Sequence, residues 1–382
     1  MKTCKIGIWN ETVPGIYFDN DGICNYYYLH KKLCETFKRG EEGKADWQEF
    51  VKNMKEKKGN SKYHCIVGVS GGVDSSYLMH MLVNEYGLNP LAVNLDNGWN
   101  SEIAVNNIRK ITRKLNIDLE TYVVDYEEMK GIMRAYIKSC LPWIDIPTDV
   151  AIKSSLYKVA AKEGIKFIIR GNDFRSEGKQ PREWTYSDHK QLSFIIKKFS
   201  NIKIKTFPTL SFLDIIINSF VRNIKELKPF YYLDYNKQEA KKLLISQYEW
   251  QDYGGHHHEN LFTKFAMAYW LPKKFGIDKR IINLSAQVAS GVISRNDALI
   301  EIGKDFDTEE KLNELRTYFL KKLDFTDEEF DIIMKQPNKF YYDYPNLFST
   351  IVKIYPLFKP FQKLLFKQVP MSFVEIENRK KL

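Results

Sequence analysis

The stretch Ser70-Gly71-Gly72-Val73-Asp74-Ser75-Ser76 limits what this chain can become more than any other. It follows the apolar run Cys65-Ile66-Val67-Gly68-Val69, short enough for a buried strand. It precedes Leu78, Met81 and Leu82, which recur at helical steps of three and four. Strand, glycine turn and helix in that order make an anion site. Two adjacent glycines let the backbone come close to a ligand where a Cβ would collide, and the unpaired N–H groups of the helix start lie at the positive end of its dipole. Ser70, Ser75 and Ser76 add hydroxyls, and Asp74 can hold a divalent cation between phosphates. A polyphosphate is the expected guest. The spacing has neither the lysine of the Walker loop nor the three spaced glycines of the dinucleotide fingerprint.

Strand and helix alternate onward from this loop. A second strand over 91–95 ends in Asp96-Asn97-Gly98-Trp99, and Ala104, Ile108, Ile111 and Leu115 mark one helix face. A third strand over 121–124 precedes a helix through Met129, Ile132, Met133 and Tyr136. Asp149 then caps a helix through Ile152, Leu156, Val159 and Ala160, which leads to a strand over 167–169. The pattern predicts an α/β fold, a doubly wound parallel sheet with helices on both faces and right-handed crossovers. Ligands of such sheets bind beyond the carboxyl ends of the strands, so 70–76, 96–99 and 170–178 should converge. Three units are expected: an N-terminal segment over 1–60, a nucleotide domain over 61–205, and a mainly helical region over 206–382. In the last, 210–221 reads as an apolar core helix interrupted by Asp214, and Thr326 with Glu329 as a capping box.

A formal net charge of +10 on 382 residues suits an acidic partner, whether nucleotide, sugar nucleotide, nucleic acid or membrane surface, and does not choose among them. No apolar run approaches the roughly 20 residues that span a bilayer. The first residues also lack the apolar core of a signal peptide, so a cytoplasmic protein without a transmembrane segment is expected. Cysteines at 4, 24, 34, 65 and 140 form no disulfide framework. A zinc site usually pairs Cys-x-x-Cys, but Gly7 and Tyr27 stand three residues after Cys4 and Cys24, which favours free buried thiols over zinc.

The Ser70 to Ser76 loop resembles the PP-loop of the ATP pyrophosphatases, which split ATP into AMP and pyrophosphate and leave the substrate briefly adenylated. Further stretches widen the resemblance. They include Pro14-Gly15-Ile16, Gly22-Ile23-Cys24-Asn25-Tyr26, Asp96-Asn97-Gly98-Trp99, Ile146-Pro147-Thr148-Asp149, Lys205-Thr206-Phe207-Pro208, Asp234-Tyr235-Asn236-Lys237, Tyr253-Gly254-Gly255, Leu271-Pro272-Lys273-Lys274-Phe275-Gly276 and Asp278-Lys279-Arg280. Together they make nearly the whole chain similar to the N-acetyl sugar amidotransferase family, whose members convert sugar acetamido groups to acetamidino groups for surface polysaccharides. The resemblance implies ATP with Mg²⁺ at Asp74, and Asp96, Asn97 and Gly171 near the nucleotide. It also implies catalytic roles for Asp74, Lys279, Arg280 and His257, and a substrate side built from Asp173, Arg175, Glu177, His256 and Glu259.

The chain departs from the family at several positions. The family's loop Gly-Gly-Asn-x-Ala-Thr-Glu-Gly reads Gly171-Asn172-Asp173-Phe174-Arg175-Ser176-Glu177-Gly178, His256 replaces a lysine, and Asn283 replaces a histidine. These changes would also suit a homologue that has lost activity and serves as an assembly subunit, although the intact Ser70 to Ser76 loop speaks against that. A tRNA-modifying enzyme with the same loop would suit the positive charge, but RNA thiolation often relies on paired cysteines and no Cys-x-x-Cys occurs. No cysteine sits in a glutaminase-like elbow, so ammonia is expected from a separate glutaminase subunit. The expected acceptor is a nucleotide-linked sugar and no nucleic acid is expected as partner; a homo-oligomer is left open.

Overall fold

The computed structural model describes residues 1–253 and 259–361. Its centre is one parallel sheet of β1 (Cys65–Gly68), β2 (Pro90–Asp96), β3 (Leu119–Val123), β4 (Phe167–Ile169) and β5 (Lys225–Leu227), in the order β3-β2-β1-β4-β5. Ile66 pairs in register with Leu91 on one side and Ile168 on the other. β1 is therefore central, and the chain leaves it toward β2 and later returns to its opposite side as β4. That reversal is the topological switch point where doubly wound sheets open a crevice.

Alternation along β1 explains why both faces are covered. Cys65 and Val67 face Leu33 and Trp47 from the N-terminal helices α1 (Asn25–Thr36) and α2 (Gly40–Glu56). The same core takes Leu78 of α3 (Val73–His80), Ile108 and Ile111 of α4 (Glu102–Lys114), and Leu244 of the helix Lys237–Tyr248. Ile66 and Val93 face the other way, onto Leu156, Val159 and Ala160 of α6 (Ile146–Lys162). A third core joins α5 (Tyr126–Lys138), the C-terminal helices and the first residues of the chain, including Cys4, Ile8 and Trp9. Residues 1–60 are thus packed into two of the three cores.

Three local expectations change. The 210–221 segment is not a core helix, since Leu213, Ile217, Phe220 and Val221 are exposed. Asp149 does not cap α6: the helix begins at Ile146 with Pro147 in its first turn, Asp145 holds the capping position, and Asp149 accepts the Trp143 Nε1–H at 2.8 Å. Proline suits a first helical turn because its missing N–H would be unpaired there anyway. The strand β5 was not expected, since Lys-Glu-Leu carries no apolar alternation; it is an edge strand held by the β4 ladder. The capping box is present, with Glu329 N donating to Thr326 Oγ1 at 3.1 Å.

Candidate active site

The loop after β1 is bent by Gly71, at φ +79°, and a Cβ there would lie 2.3 Å from the Ala104 carbonyl oxygen at the start of α4. Only glycine fits such a left-handed, crowded position. The Gly71 carbonyl accepts the Trp250 indole N–H at 3.1 Å and the Asn107 amide at 3.4 Å. Asn107 is itself fixed by exchanging hydrogen bonds with the Gln251 backbone, at 2.8 and 2.9 Å.

Within the loop, Ser75 Oγ accepts from Ser70 N at 3.2 Å and donates to the Gly72 carbonyl at 3.3 Å. Gly72 N donates to Ser70 Oγ at 3.3 Å. Helix α3 starts at Val73 with no side-chain cap, which leaves its first amides at the mouth of the loop. The Tyr253 hydroxyl meets the Val73 amide there and stands 3.0 Å from where a Gly72 Cβ would be, with Glu259 Oε1 at 3.4 Å from the same point. Ser76 Oγ is buried and finds no hydrogen-bond partner among the described residues.

Asp74 faces two groups from beyond β5. Its Oδ1 accepts the Tyr235 hydroxyl and its Oδ2 accepts Lys237 Nζ at 2.9 Å. Tyr235 is stacked on Phe230 with ring centroids 4.0 Å apart. Burial pulls the Lys237 pKa down, but Asp74, Glu177 and Glu259 hold it above the ordinary lysine value, so it is a fixed cation at the loop. The strand β4 brings the opposite wall. A Cβ on Gly171 would lie 3.2 Å from the Asp74 backbone, so these two loops touch. Glu177 accepts from Asn172 Nδ2 at 3.2 Å. Arg170 meets Glu226 at 3.4 Å, and Glu226 in turn meets Lys228 at 3.7 Å. Together these cations hold the Glu226 carboxyl down to about 2 against its burial.

A second polar cluster lies along α6. Lys279 Nζ sits 3.5 Å from the centroid of the Trp143 ring, whose N–H is tied to Asp149. Burial lowers the Lys279 pKa to about 8, against the pull of Asp149, Asp145 and Glu177. Asp145 is buried and accepts the Thr263 hydroxyl, and burial beside Asp149 raises its pKa.

The sequence-predicted residues divide accordingly. Ser70 to Ser76, Gly171, Glu177 and Glu259 are gathered around the loop by the contacts above. Asp96 ends β2 and accepts the Gly98 N–H at 2.9 Å. Asn97 is buried, bonded to Thr148 at 3.0 Å and Trp99 at 3.1 Å, and so braces the turn. Asp173 and Arg175 are buried contacts of the N-terminal helices: Asp173 pairs with Arg39 at 3.1 Å, and Arg175 donates to the Tyr231 and Phe37 carbonyls. Arg280 is clamped on Asp278 and on the carbonyls of Ile302 and Lys304, over the Phe306 ring. His256 and His257 lie outside the described residues.

Tyr235, Lys237, Trp250, Asn107, Trp143 and Asp145 were missed as site residues. For Lys237 a signal existed, because it closes the Asp234 to Lys237 stretch already singled out. Cys24 N donates to Cys4 Sγ at 3.3 Å, and the Cys24 thiol with nearby amides draws the Cys4 pKa down to about 5. Among the described residues no group of three or more His, Cys, Asp or Glu side chains gathers as metal ligands would. Asp74 is the carboxylate at the loop that a Mg²⁺ arriving with the nucleotide would meet, beside its bonds to Tyr235 and Lys237.

Residues 259–355 match a family model described as "LPS biosynthesis protein WbpG-like, C-terminal domain". The matched region begins at Glu259, beside the loop. Among curated proteins the chain is 24% identical over 315 residues to the uncharacterized protein MJ1599 of Methanocaldococcus jannaschii, covering 82% of this chain and 96% of that one. Solved structures offer weaker likenesses. An NH3-dependent NAD synthetase from Campylobacter jejuni covers 59% of this chain and 85% of its own at 16% identity and TM-score 0.27. The U34-tRNA thiolase NcsA of Methanococcus maripaludis covers 80% and 90% at 13% identity and TM-score 0.32. Scores in that range leave the fold to rest on the chain's own sheet order.

Proposed function

We propose that the chain is an ATP-dependent amidotransferase that converts the acetamido group of a nucleotide-linked N-acetyl sugar to an acetamidino group, in the synthesis of a surface glycan. The observation that carries the ATP half is the Ser70 to Ser76 loop at the switch point, with a helix start that has no N-cap side chain and the fixed cation of Lys237 against Asp74. The sugar half rests on the resemblance described above and on the family match over 259–355, whose description names LPS biosynthesis.

In this reading the amide oxygen attacks the α-phosphorus of ATP, an O–P bond forms, and pyrophosphate leaves with the bonding electrons. Ammonia then adds to the activated carbon, and AMP departs as the C–O bond breaks, leaving an amidine. Phosphoryl transfer of this kind depends on positioning and charge more than on a covalent nucleophile. The α3 amides and Lys237 would neutralise the phosphates, and Mg²⁺, when bound with the nucleotide, supplies further charge neutralisation. Lys279, whose proton is held loosely, is suited to accept a proton from the adding ammonia. Ammonia would come from a separate glutaminase.

The test is incubation of the purified chain with ATP, Mg²⁺, ammonium chloride and a panel of nucleotide-linked acetamido sugars. The reading requires pyrophosphate release that depends on the sugar, and a product in which mass spectrometry finds oxygen replaced by NH. Pyrophosphate released with tRNA and with none of the sugars would overturn it, as would glutamine serving the lone chain as well as ammonium does.

A further inference from the structure

The helix Phe212–Val221 presents its apolar side outward. Its first turn is capped by Ser211, whose Oγ accepts from Asp214 N at 3.1 Å, and it continues through a wider turn to Val221. Among its described side chains the buried one is polar: Asn218 accepts from Arg222 at 2.8 Å. Leu213, Ile217 and Val221 fall at steps of four, hence on one face, and are exposed by 68%, 41% and 76%. This inverts the ordinary arrangement of a surface helix. Phe220 is half-exposed beside that stripe, and Ile204 is exposed between Lys203 and Lys205.

The charges around the helix are mostly positive. From His189 to Lys225 the chain carries seven Lys or Arg residues and one carboxylate, Asp214. Lys158 and His189 lie near Asp214 at the start of the helix, and Lys166 Nζ donates to the Arg222 carbonyl at 3.1 Å at its end. Lys203, Lys205 and Arg222 are exposed. An apolar stripe ringed by cations is the pattern of a helix that lies in the headgroup layer of a bilayer, with apolar side chains in the acyl boundary and cations at the anionic surface.

We propose that the Phe212–Val221 helix and its flanking cations dock this protein reversibly on a bilayer containing anionic phospholipid. A second copy is the weaker candidate, because facing stripes would bring two sets of like charges together. Anchorage is peripheral: no described helix is long and apolar enough to cross a membrane. The inference does not depend on the reaction.

The test is flotation of the full chain with vesicles of phosphatidylcholine alone and of phosphatidylcholine doped with phosphatidylglycerol. The chain should float only with the doped vesicles and be released by salt. The triple variant K203Q/K205Q/R222Q should bind on the order of 100-fold more weakly, from the free energy each surface cation contributes. L213S/I217S/V221S should lose binding and keep its melting temperature, since these side chains are exposed. The variant Ile217→Trp should give a blue-shifted emission on doped vesicles only. Equal flotation with both vesicles, or none, would overturn the proposal. So would a stripe variant that floats like the parent, or one that instead converts a lipid-free oligomer to monomer.

Discussion

Replacing Gly71 by alanine separates the loop's conformation from mere loss of a glycine. Alanine at φ +79° costs about 1–2 kcal/mol for the left-handed backbone. Its Cβ would lie 2.3 Å from the Ala104 carbonyl oxygen, and backbone at that distance has to move. The Gly71 carbonyl would move with it, weakening the bonds from Trp250 and Asn107, each worth about 1 kcal/mol. The total expected loss is roughly 3–4 kcal/mol on these two contributions. Gly164→Ala is the matched control: its φ is +67° and nothing lies within 4 Å of the added Cβ, so only the backbone cost remains. Urea unfolding of both variants, with nucleotide binding by calorimetry, is the assay. Gly71→Ala should be at least about 1.5 kcal/mol less stable than Gly164→Ala and should not bind ATP. Equal destabilisation of the two, or ATP binding retained by Gly71→Ala, would refute the account of the loop.

Three further outcomes follow from the same geometry. Lys237→Ala should weaken binding of a non-hydrolysable ATP analogue by about 10- to 100-fold, the worth of a charge-assisted hydrogen bond, with little change in melting temperature. An unchanged Kd would remove Lys237 from the nucleotide site. With a pKa of about 8, Lys279 should give the reaction rate an inflection near pH 8, and Asp149→Asn, by removing a carboxylate that favours the charged amine, should shift that inflection to lower pH. An upward shift would contradict the assignment. His30 is buried against Ser290 at 2.9 Å, and burial with the nearby Arg175 lowers its pKa from 6.5 to about 4. Below pH 6.5 the unfolded chain takes up a proton that the native state refuses. Stability from this group is therefore full above pH 6.5 and falls by on the order of 3 kcal/mol by pH 4. His30→Gln should flatten that part of a denaturation series, and a parent and variant with parallel slopes would count against it.

How much could be read in advance depended on how local each feature is. The four strands from β1 to β4 and their parallel order follow from apolar runs and helical spacing, which are encoded within short windows. The strand β5 escaped because Lys225–Leu227 has no pattern of its own and is recruited by the edge of β4. The Ser70 to Ser76 loop was legible because its glycines, hydroxyls and carboxylate are contiguous. Its supports were not: Trp250 reaches Gly71 across 179 positions and Lys237 reaches Asp74 across 163. Asp173 and Arg175 show the converse. They lie in the right loop but face the N-terminal helices, because Asp173 caps the turn at Phe174 and pairs with Arg39. Motif position gives the neighbourhood of a side chain, and only packing gives its direction.

The two lysines of the site are pushed in opposite directions, and that difference bears on their chemistry. Lys237 stands in an ion pair with Asp74 and close to Glu177 and Glu259, so its charge is reinforced and persists at any working pH. Lys279 lies on the Trp143 ring, where burial outweighs the attraction of Asp149, Asp145 and Glu177 and lowers its pKa to about 8. A permanent cation stabilises phosphate charge and is of no use as a proton acceptor, whereas a lysine near pH 8 can exchange a proton at little cost. When two like groups in one site are tuned apart, their roles separate with them. Glu177 favours the charged form of both lysines, so in the proposed reaction it would couple charge at the phosphates to the proton on Lys279.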